Sequence, residues 1–336
     1  MGWLVFLCLL VSISVLGYLI TPDHTPYCNE QILEIRLLKP GSKIDLLQLK
    51  KPKETEKNGL LKTMLSGQPN PYLLLPVSNY HIEKDSIIIQ TYNEKNAFGR
   101  KSFAISETAG VIHRTYLLGT DRYGRDMLSQ LIIGARVSLS IGFVSICIAL
   151  FIGILLGAIA GYYGGKTDDF ILWFINVIWS VPSLLLVIAI SFVLGSGFWQ
   201  VFIAIGLTMW VDIARVVRGQ FISYREKEYV EASRALGFRN FTIIFKHILP
   251  NMTGTLTVIS ASNFASAILT EAGLSFLGIG VQPPMPSWGN MIKENYGYII
   301  LDHAYMAVIP GLAIVLLVLA FMLIGNMLRD AMDVKA

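Results

Sequence analysis

A few short stretches of this chain carry residue types at spacings that could do chemistry. Ala160 to Thr167, AGYYGGKT, satisfies a relaxed phosphate-loop pattern with alanine in the first position. Such a loop needs a strand before it and a soluble helix after it, so that backbone N–H groups and the lysine can cradle phosphate. Apolar runs flank it here on both sides, and no other Walker-type stretch occurs. Gly164 and Gly165 therefore read as a tight turn at a membrane surface, with Lys166 as a topology anchor, and any ATP hydrolysis falls to a different chain. In GTDRYGRD, Asp121, Arg125 and Asp126 can form a local ion-pair and turn network, and no nucleophile or metal set stands beside them. Glu271 is the only acid between Met252 and Gln282. An acid within a membrane is costly and is a functional candidate by default. It either lines a path for cargo or sits near a helix end, reached by water, holding a bundle together. Asp212 and Arg215 read as a structural anchor, and Asp302 and His303 as solvated. Cys8 and Cys147 fall in apolar runs and Cys28 in a loop, so neither a disulfide framework nor a zinc pattern follows.

The elements that must position these residues are apolar helices. The 336 residues are 54% apolar and only 15% charged, with mean hydropathy +0.57. Soluble domains carry about 25% charged residues. Gly2–Ile20, Val137–Gly165 and Phe170–Val211 carry no charge, the last broken by GSG at Gly195–Gly197, and His303–Leu328 has no Asp, Glu, Lys or Arg. A spanning helix needs roughly 20 apolar residues. About six spans are expected, at roughly 2–20, 138–163, 170–193, 198–217, 252–278 and 304–328. A soluble protein with buried helices would need polar outer faces, which these helices lack. Pro182 kinks the third span in this reading, either to let the helix change shape or for packing. The small net charge of +4 does not argue for nucleic acid.

The first span lacks a basic leader and a clear cleavage site, so it reads as a retained helix. Short loops rich in Lys and Arg tend to stay in the cytoplasm, whereas long loops cross regardless of charge. Arg215, Arg218, Arg225, Lys227, Arg234, Arg239 and Lys246 lie between spans four and five, Lys166 in an earlier loop, and Arg329 and Lys335 in the tail. With six spans these share one side, which makes both termini cytoplasmic. Residues 22–136 then form an extracytoplasmic insertion of mixed structure. DSIIIQTYN reads as a strand and GQPNPYLLLP as loop and extended chain. A second external segment, Gly280–Asp302, is too rich in Pro and Gly for one continuous helix.

One charged segment, 219–251, interrupts the oily half of the chain. REKEYVEASRAL favours a helix, with Lys227, Glu231 and Arg234 along one face. Gly237 stops it, Asn240 caps a second short helix, and Pro250 marks the next break. On amphipathicity alone this is either a handle for a partner or a hairpin lying on lipid headgroups.

The segment resembles the EAA loop of permease subunits in ABC importers, whose pattern is E-A-A, three residues, Gly, nine residues, I-x-L-P. Glu231, Ala232, Gly237, Leu249 and Pro250 match at that spacing, while Ser233 replaces the second alanine and His247 the isoleucine. LLGTDRYGRDMLSQLIIGARVSLSIGF, GYYGGKTDD, WSVPSLLL, LTEAGLSFLGIGVQPPMPSWGNMI and LRDAMD are similar to the dipeptide and oligopeptide permease branch, covering Leu117 to the C-terminus. The resemblance implies an all-α polytopic protein of the type I ABC importer permease fold: a first helix in 1–21, the insertion and lead-in in 22–136, and a permease core in 137–336. It implies docking of the Glu231–Pro250 segment in a cleft of an ATPase subunit. It implies a heterodimer with a second permease chain, two ATPase subunits holding ATP and magnesium, and an extracytoplasmic binding protein. No cofactor is expected on this chain. Peptides, or else nickel chelates or glutathione, are the expected cargo in the inner or plasma membrane. The rival readings are a proton-driven secondary transporter with Glu271 as carrier, weakened by the lack of inverted halves, and a membrane enzyme using the insertion, which shows no catalytic cluster.

Overall fold

The computed structural model describes residues 2–52, 58–92, 100–195 and 197–332. Lys335, the end of LRDAMD at Asp333, and Ser196 of GSG lie outside the described residues. In chain order the elements are α1 (Gly2–Val15), α2 (Gly17–Ile20), β1 (Ser42–Lys50), α3 (Leu60–Ser66), β2 (Tyr72–Glu83), β3 (Ser86–Thr91), β4 (Arg100–Ala104), β5 (Thr108–Tyr116) and α4 (Met127–Tyr163). They continue with α5 (Gly165–Trp179), α6 (Ser183–Leu194), α7 (Phe198–Arg225), α8 (Glu228–Ala235), α9 (Asn240–Thr242), α10 (Thr253–Leu277), α11 (Trp288–Asn295) and α12 (Tyr305–Met332). The chain divides into two compact units, each discontinuous in sequence: Leu9–Val137 with Pro283–Gly311, and Met1–Cys8 with Ser138–Gln282 and Leu312–Ala336.

In the first of these units the insertion forms a five-stranded antiparallel sheet in the order β4-β3-β2-β1-β5. Alternation along the strands sends side chains to opposite faces. Ile44, Leu46 and Leu74 gather with Ile32, Ile35 and Tyr116 in one apolar cluster, while Leu47, Val77, Ile87 and Ile89 form another. The expected strand at 85–93 is β3, and the expected extended chain becomes β2. Cys28, placed in a loop by sequence, is buried, its Sγ 3.1 Å from the Asp23 carbonyl, and burial pushes its thiol pKa well up.

In the other unit, apolar helices pack through glycine. Gly153, Gly157 and Gly161 recur every four residues along α4, on one face. A Cβ on Gly157 would sit 2.5 Å from the Ala214 carbonyl oxygen, and one on Gly161 would sit 2.6 Å from that of Arg218. Without those methyls the backbones of α4 and α7 approach closely, the usual device where lipid gives helices no hydrophobic incentive to pair.

Among the described residues, four single helices are long and apolar enough to cross a membrane: Met127–Tyr163, Phe198–Arg225, Asn240–Leu277 and Tyr305–Ala331. The span expected at 170–193 is two helices, α5 and α6, bent by 89°, and counting that pair as one broken span makes five among the described residues. Pro182 lacks the N–H that would continue α5 and disfavours helical geometry at Val181. The bend falls there, with the Val181 N–H diverted to the Ile178 carbonyl at 3.2 Å. A count of apolar residues cannot see such a reversal. The expected first span is likewise divided, into α1 of 14 residues and the single turn of α2.

Candidate functional site

The elbow between α7 and α10 is the candidate site. Lys227 is extended, at φ −80° and ψ 144°, and turns the chain from α7 into α8. It therefore stands at the cap position, outside the helix along whose face it was expected with Glu231 and Arg234. Val230 and Ser233 are buried, while Glu231, Ala232, Arg234 and Ala235 are exposed. Ser233 Oγ donates to the Tyr229 carbonyl at 2.7 Å, so the residue in place of the second alanine keeps its hydroxyl satisfied inside the helix.

Gly237 closes α8. Its φ of +77° is the left-handed geometry that glycine adopts without side-chain penalty. The Gly237 N–H donates to the Arg234 carbonyl at 2.9 Å and the Phe238 N–H to that of Ser233 at 3.2 Å, the paired bonds of a Schellman cap. The corner is braced by the Phe238 and His247 rings, 5.6 Å apart between centroids. Arg239, not Asn240, occupies the cap position of the second helix. The Asn240 side chain instead accepts from the Tyr162 hydroxyl of α4 at 2.9 Å, and the Arg234 guanidinium lies 5.1 Å from the Tyr162 ring centroid.

Pro250 does not end the second helix. The turn Ile243–Ile248 widens to π geometry, with the Leu249 N–H reaching back to the Ile244 carbonyl, and Leu249–Met252 then tightens to a 3-10 turn that enters α10. Widening the turn ahead of a proline relieves the clash between its ring and the preceding carbonyls. Asn251 Nδ2 donates to the His247 carbonyl at 2.6 Å. Leu249 is half-buried and Pro250 exposed.

The elbow thus has a buried side, with Val230, Ile243 and Ile248 fully inside, and an open side. Leu236 at 77% and Phe241 at 70% stand exposed, with Phe238 and Phe245 beside them and Glu231, Arg234 and Arg239 around them. Apolar anchors among charges are the composition of a protein-binding patch.

The base of the elbow is tied to its neighbours. Arg218 donates from Nε and Nη2 to the two Asp168 carboxylate oxygens at 2.5 and 2.6 Å, a fork across α7 and α5. Arg215 donates to Asn176 Oδ1 at 2.7 Å and stacks 3.8 Å from the Trp179 ring centroid, while no ion pair joins it to Asp212 among the described residues. The glycine-lysine stretch after α4 is a helix-to-helix corner, with Gly164 and Gly165 at φ +66° and +54° and α4 where a phosphate loop would need a strand.

Glu271, 1% exposed, lies two turns from the end of α10. Ser275 Oγ donates to its carboxylate at 2.6 Å and accepts the Val281 N–H at 3.2 Å, so the acid is linked to the turn that leaves the helix. Pro182 sits at the start of α6, in the bend.

A second constellation lies in the unit that holds the sheet. Asp121, Arg125 and Asp126 are all buried. Arg125 Nε donates to Asp121 Oδ2 at 2.6 Å and its Nη2 to Glu294 Oε2 at 2.5 Å. Asp121 also accepts the backbone N–H groups of Tyr123 and Arg125, each at 2.9 Å. Burial alone would lower the Arg125 pKa, but the Asp121 and Glu294 carboxylates outweigh it and hold it above its usual value. Asp126 Oδ2 accepts the Ser129 N–H at 2.9 Å and so caps α4. Nothing local in the sequence marks Glu294 as a partner of Arg125, 169 residues away.

A family profile described as "Binding-protein-dependent transport system inner membrane component" matches residues 153–335. The chain is 42% identical over 217 residues to a dipeptide transport system permease protein of Alkalihalophilus pseudofirmus, a match covering 65% of this chain and 71% of that relative. It is 40% identical over 218 residues to a glutathione transport system permease protein of Pectobacterium atrosepticum, covering 65% and 72%. With an oligopeptide transport system permease protein of Bacillus subtilis the figures are 38% over 222 residues, 66% and 72%. Among solved structures, an inward-facing form of the MetNI methionine ABC transporter covers 62% of this chain and 98% of its own at TM-score 0.52 and 21% identity, a likeness of fold.

Proposed function

The chain belongs to the family of binding-protein-dependent transport system inner membrane components, the permeases of ABC importers, and from that premise we propose that it passes short peptides across the membrane under the drive of a separate ATPase that grips the elbow. The observation that carries this reading is the open side of the elbow, where Leu236, Phe238 and Phe241 stand exposed among Glu231, Arg234 and Arg239. A lone chain gains nothing by presenting those apolar side chains to water.

In this reading ATP and magnesium reside on two ATPase subunits. ATP closes the pair, the clefts holding the elbows move together, and the helices tilt to expose the path on the far side. Hydrolysis resets them. A second permease chain completes the path, and a binding protein delivers cargo to the extracytoplasmic face, where the sheet would lie, with both termini on the cytoplasmic side. The Tyr162–Asn240 bond links the elbow to α4, and the Arg218–Asp168 fork ties α7, from which the elbow springs, to α5, so displacement of one carries the other. Glu271 and Pro182 are proposed as groups of the cargo path or of helix packing.

The relatives point to peptide cargo, since a dipeptide permease, an oligopeptide permease and a glutathione permease match to similar extents. Glutathione is itself a short peptide and stands as the second reading of the cargo. Uptake of labelled dipeptide, oligopeptide and glutathione by the reconstituted transporter separates the two. For the coupling claim, Gly237→Pro and Glu231→Lys are the variants of choice. Proline cannot take φ +77° and would lose the N–H bonded to Arg234. Both variants are expected to insert in the membrane normally yet lose cargo-stimulated ATP hydrolysis and uptake. Normal uptake by both would refute the grip.

A further inference from the structure

We infer that α3 is an interfacial foot: it lies in the lipid headgroup region on the insertion's side of the membrane, with its leucines in the upper acyl layer. The helix is turned the wrong way for a soluble domain. At 3.6 residues per turn, Leu60, Met64, Leu61 and Leu65 share an arc of about 140°. Leu60, Leu61 and Leu65 are 70%, 75% and 66% exposed. Thr63 and Met64 are half-buried, and the Thr63 hydroxyl donates to the Asn58 carbonyl at 3.4 Å. Three leucines on two turns, facing outward, ask for an apolar neighbour.

The position of α3 says what that neighbour is. The helix packs beside α2, the end of the charge-free run Gly2–Ile20. Arg136 Nη1 donates to the Met64 carbonyl at 2.8 Å, and Arg136 is the last charge before the apolar run Val137–Gly165. The same guanidinium lies 5.9 Å from the Tyr18 ring centroid. Tyr18 itself is buried, so the boundary is marked by Arg136, a half-buried charge at the end of an apolar run whose long side chain can reach the interface. Two chain segments therefore enter the hydrocarbon beside α3, and its leucines continue the apolar surface of Leu16, Leu19 and Ile20, themselves well exposed. Gly67 ends the helix at φ +77°, and a Cβ there would stand 2.7 Å from the His24 carbonyl oxygen, so the foot is held firmly against the segment leaving α2. Lys62 lies exposed on the polar arc, suited to reach phosphate.

The test uses tryptophan in the assembled transporter, reconstituted in phosphatidylcholine vesicles with or without bromine on the upper acyl carbons. Leu61→Trp and Leu65→Trp are compared with Ile82→Trp, an equally exposed position on β2, after subtraction of the parent signal. The added signal at 61 and 65 is expected to be blue-shifted and strongly quenched by brominated lipid, and that at 82 to be water-like and unquenched. Leu61→Glu in the Leu65→Trp background should abolish the quenching while uptake of binding-protein-delivered cargo shows the chain still folded. Water-like, unquenched emission at 61 and 65 would overturn the proposal. So would blue-shifted emission untouched by bromine, which would mean a protein neighbour.

Discussion

Asp121 has four donors aimed at it: two backbone N–H groups, Arg125 Nε and Gln130 Nε2. An asparagine there would turn an NH2 toward these donors and leave buried N–H groups unsatisfied, at about 1–3 kcal/mol each, while Arg125 keeps Glu294 as its partner. Asp121→Asn should therefore lower the melting temperature of the purified protein markedly, and an unchanged melting curve would show the network to be dispensable. Glu30 gives a pH effect. Its carboxyl is raised above the ordinary carboxylate value, by burial first and by the charge of Asp23 second, against the opposing Asn70 and Arg114. A raised carboxyl holds its proton more tightly folded than unfolded. Its contribution is thus most favourable below the ordinary carboxylate value and is lost as pH rises through the folded one. Hydrogen exchange in β1 and β5 should speed up over that window, and Glu30→Gln should flatten the dependence; an equally steep profile in the variant would assign it elsewhere. At this scale the sequence shows which residues are polar and locally grouped, as with Asp121, Arg125 and Asp126. It is silent about Asn29, Asn70 and Glu294, whose partners lie far along the chain, because pairing over such distances is decided by the fold.

At the scale of elements, helix existence is legible and helix shape is not. Charges mark where apolar runs stop, so cutting the second span at Arg136 leaves out the first turns of α4, which Asp126 caps. The proline at 182 predicts a kink, yet not its angle of 89°, since a missing N–H breaks a helix without setting the direction of the chain beyond it. Pro250 shows the opposite outcome, a proline absorbed by a π turn, since Asn251 satisfies the His247 carbonyl that the distortion frees. The glycine repeat on α4 is visible as a four-residue spacing in FIGILLGAIAGYY. Its meaning depends on α7 lying against it. A side chain there overpacks the contact, at roughly 1–3 kcal/mol for modest additions. Gly157→Leu, far larger than a methyl against the Ala214 carbonyl and Val217, should reduce the folded yield of the membrane-inserted protein. Gly219→Leu, where nothing stands within 4 Å, should not. Equal yields would mean that the two helices do not need this approach.

For the whole molecule, composition and the spacing of charge declare a membrane protein, and several separate motifs in order declare the permease family, which the matched region 153–335 and the peptide-permease relatives establish. The sheet between α2 and α4 lies wholly outside that matched region, and local alternation suggests its strands without fixing their pairing order. The elbow is different, because turn chemistry is local: Gly237 and Pro250 announce a corner and a proline-bearing turn wherever the rest of the chain goes. The central claim is that an ATPase subunit holds the open side of that elbow. A photocrosslinking amino acid at Leu236, in the assembled transporter in native membranes, tests it most directly. The account predicts an adduct with the ATPase subunit whose yield changes when nucleotide is added. Adducts with lipid alone, in a transporter that still imports its cargo, would contradict it.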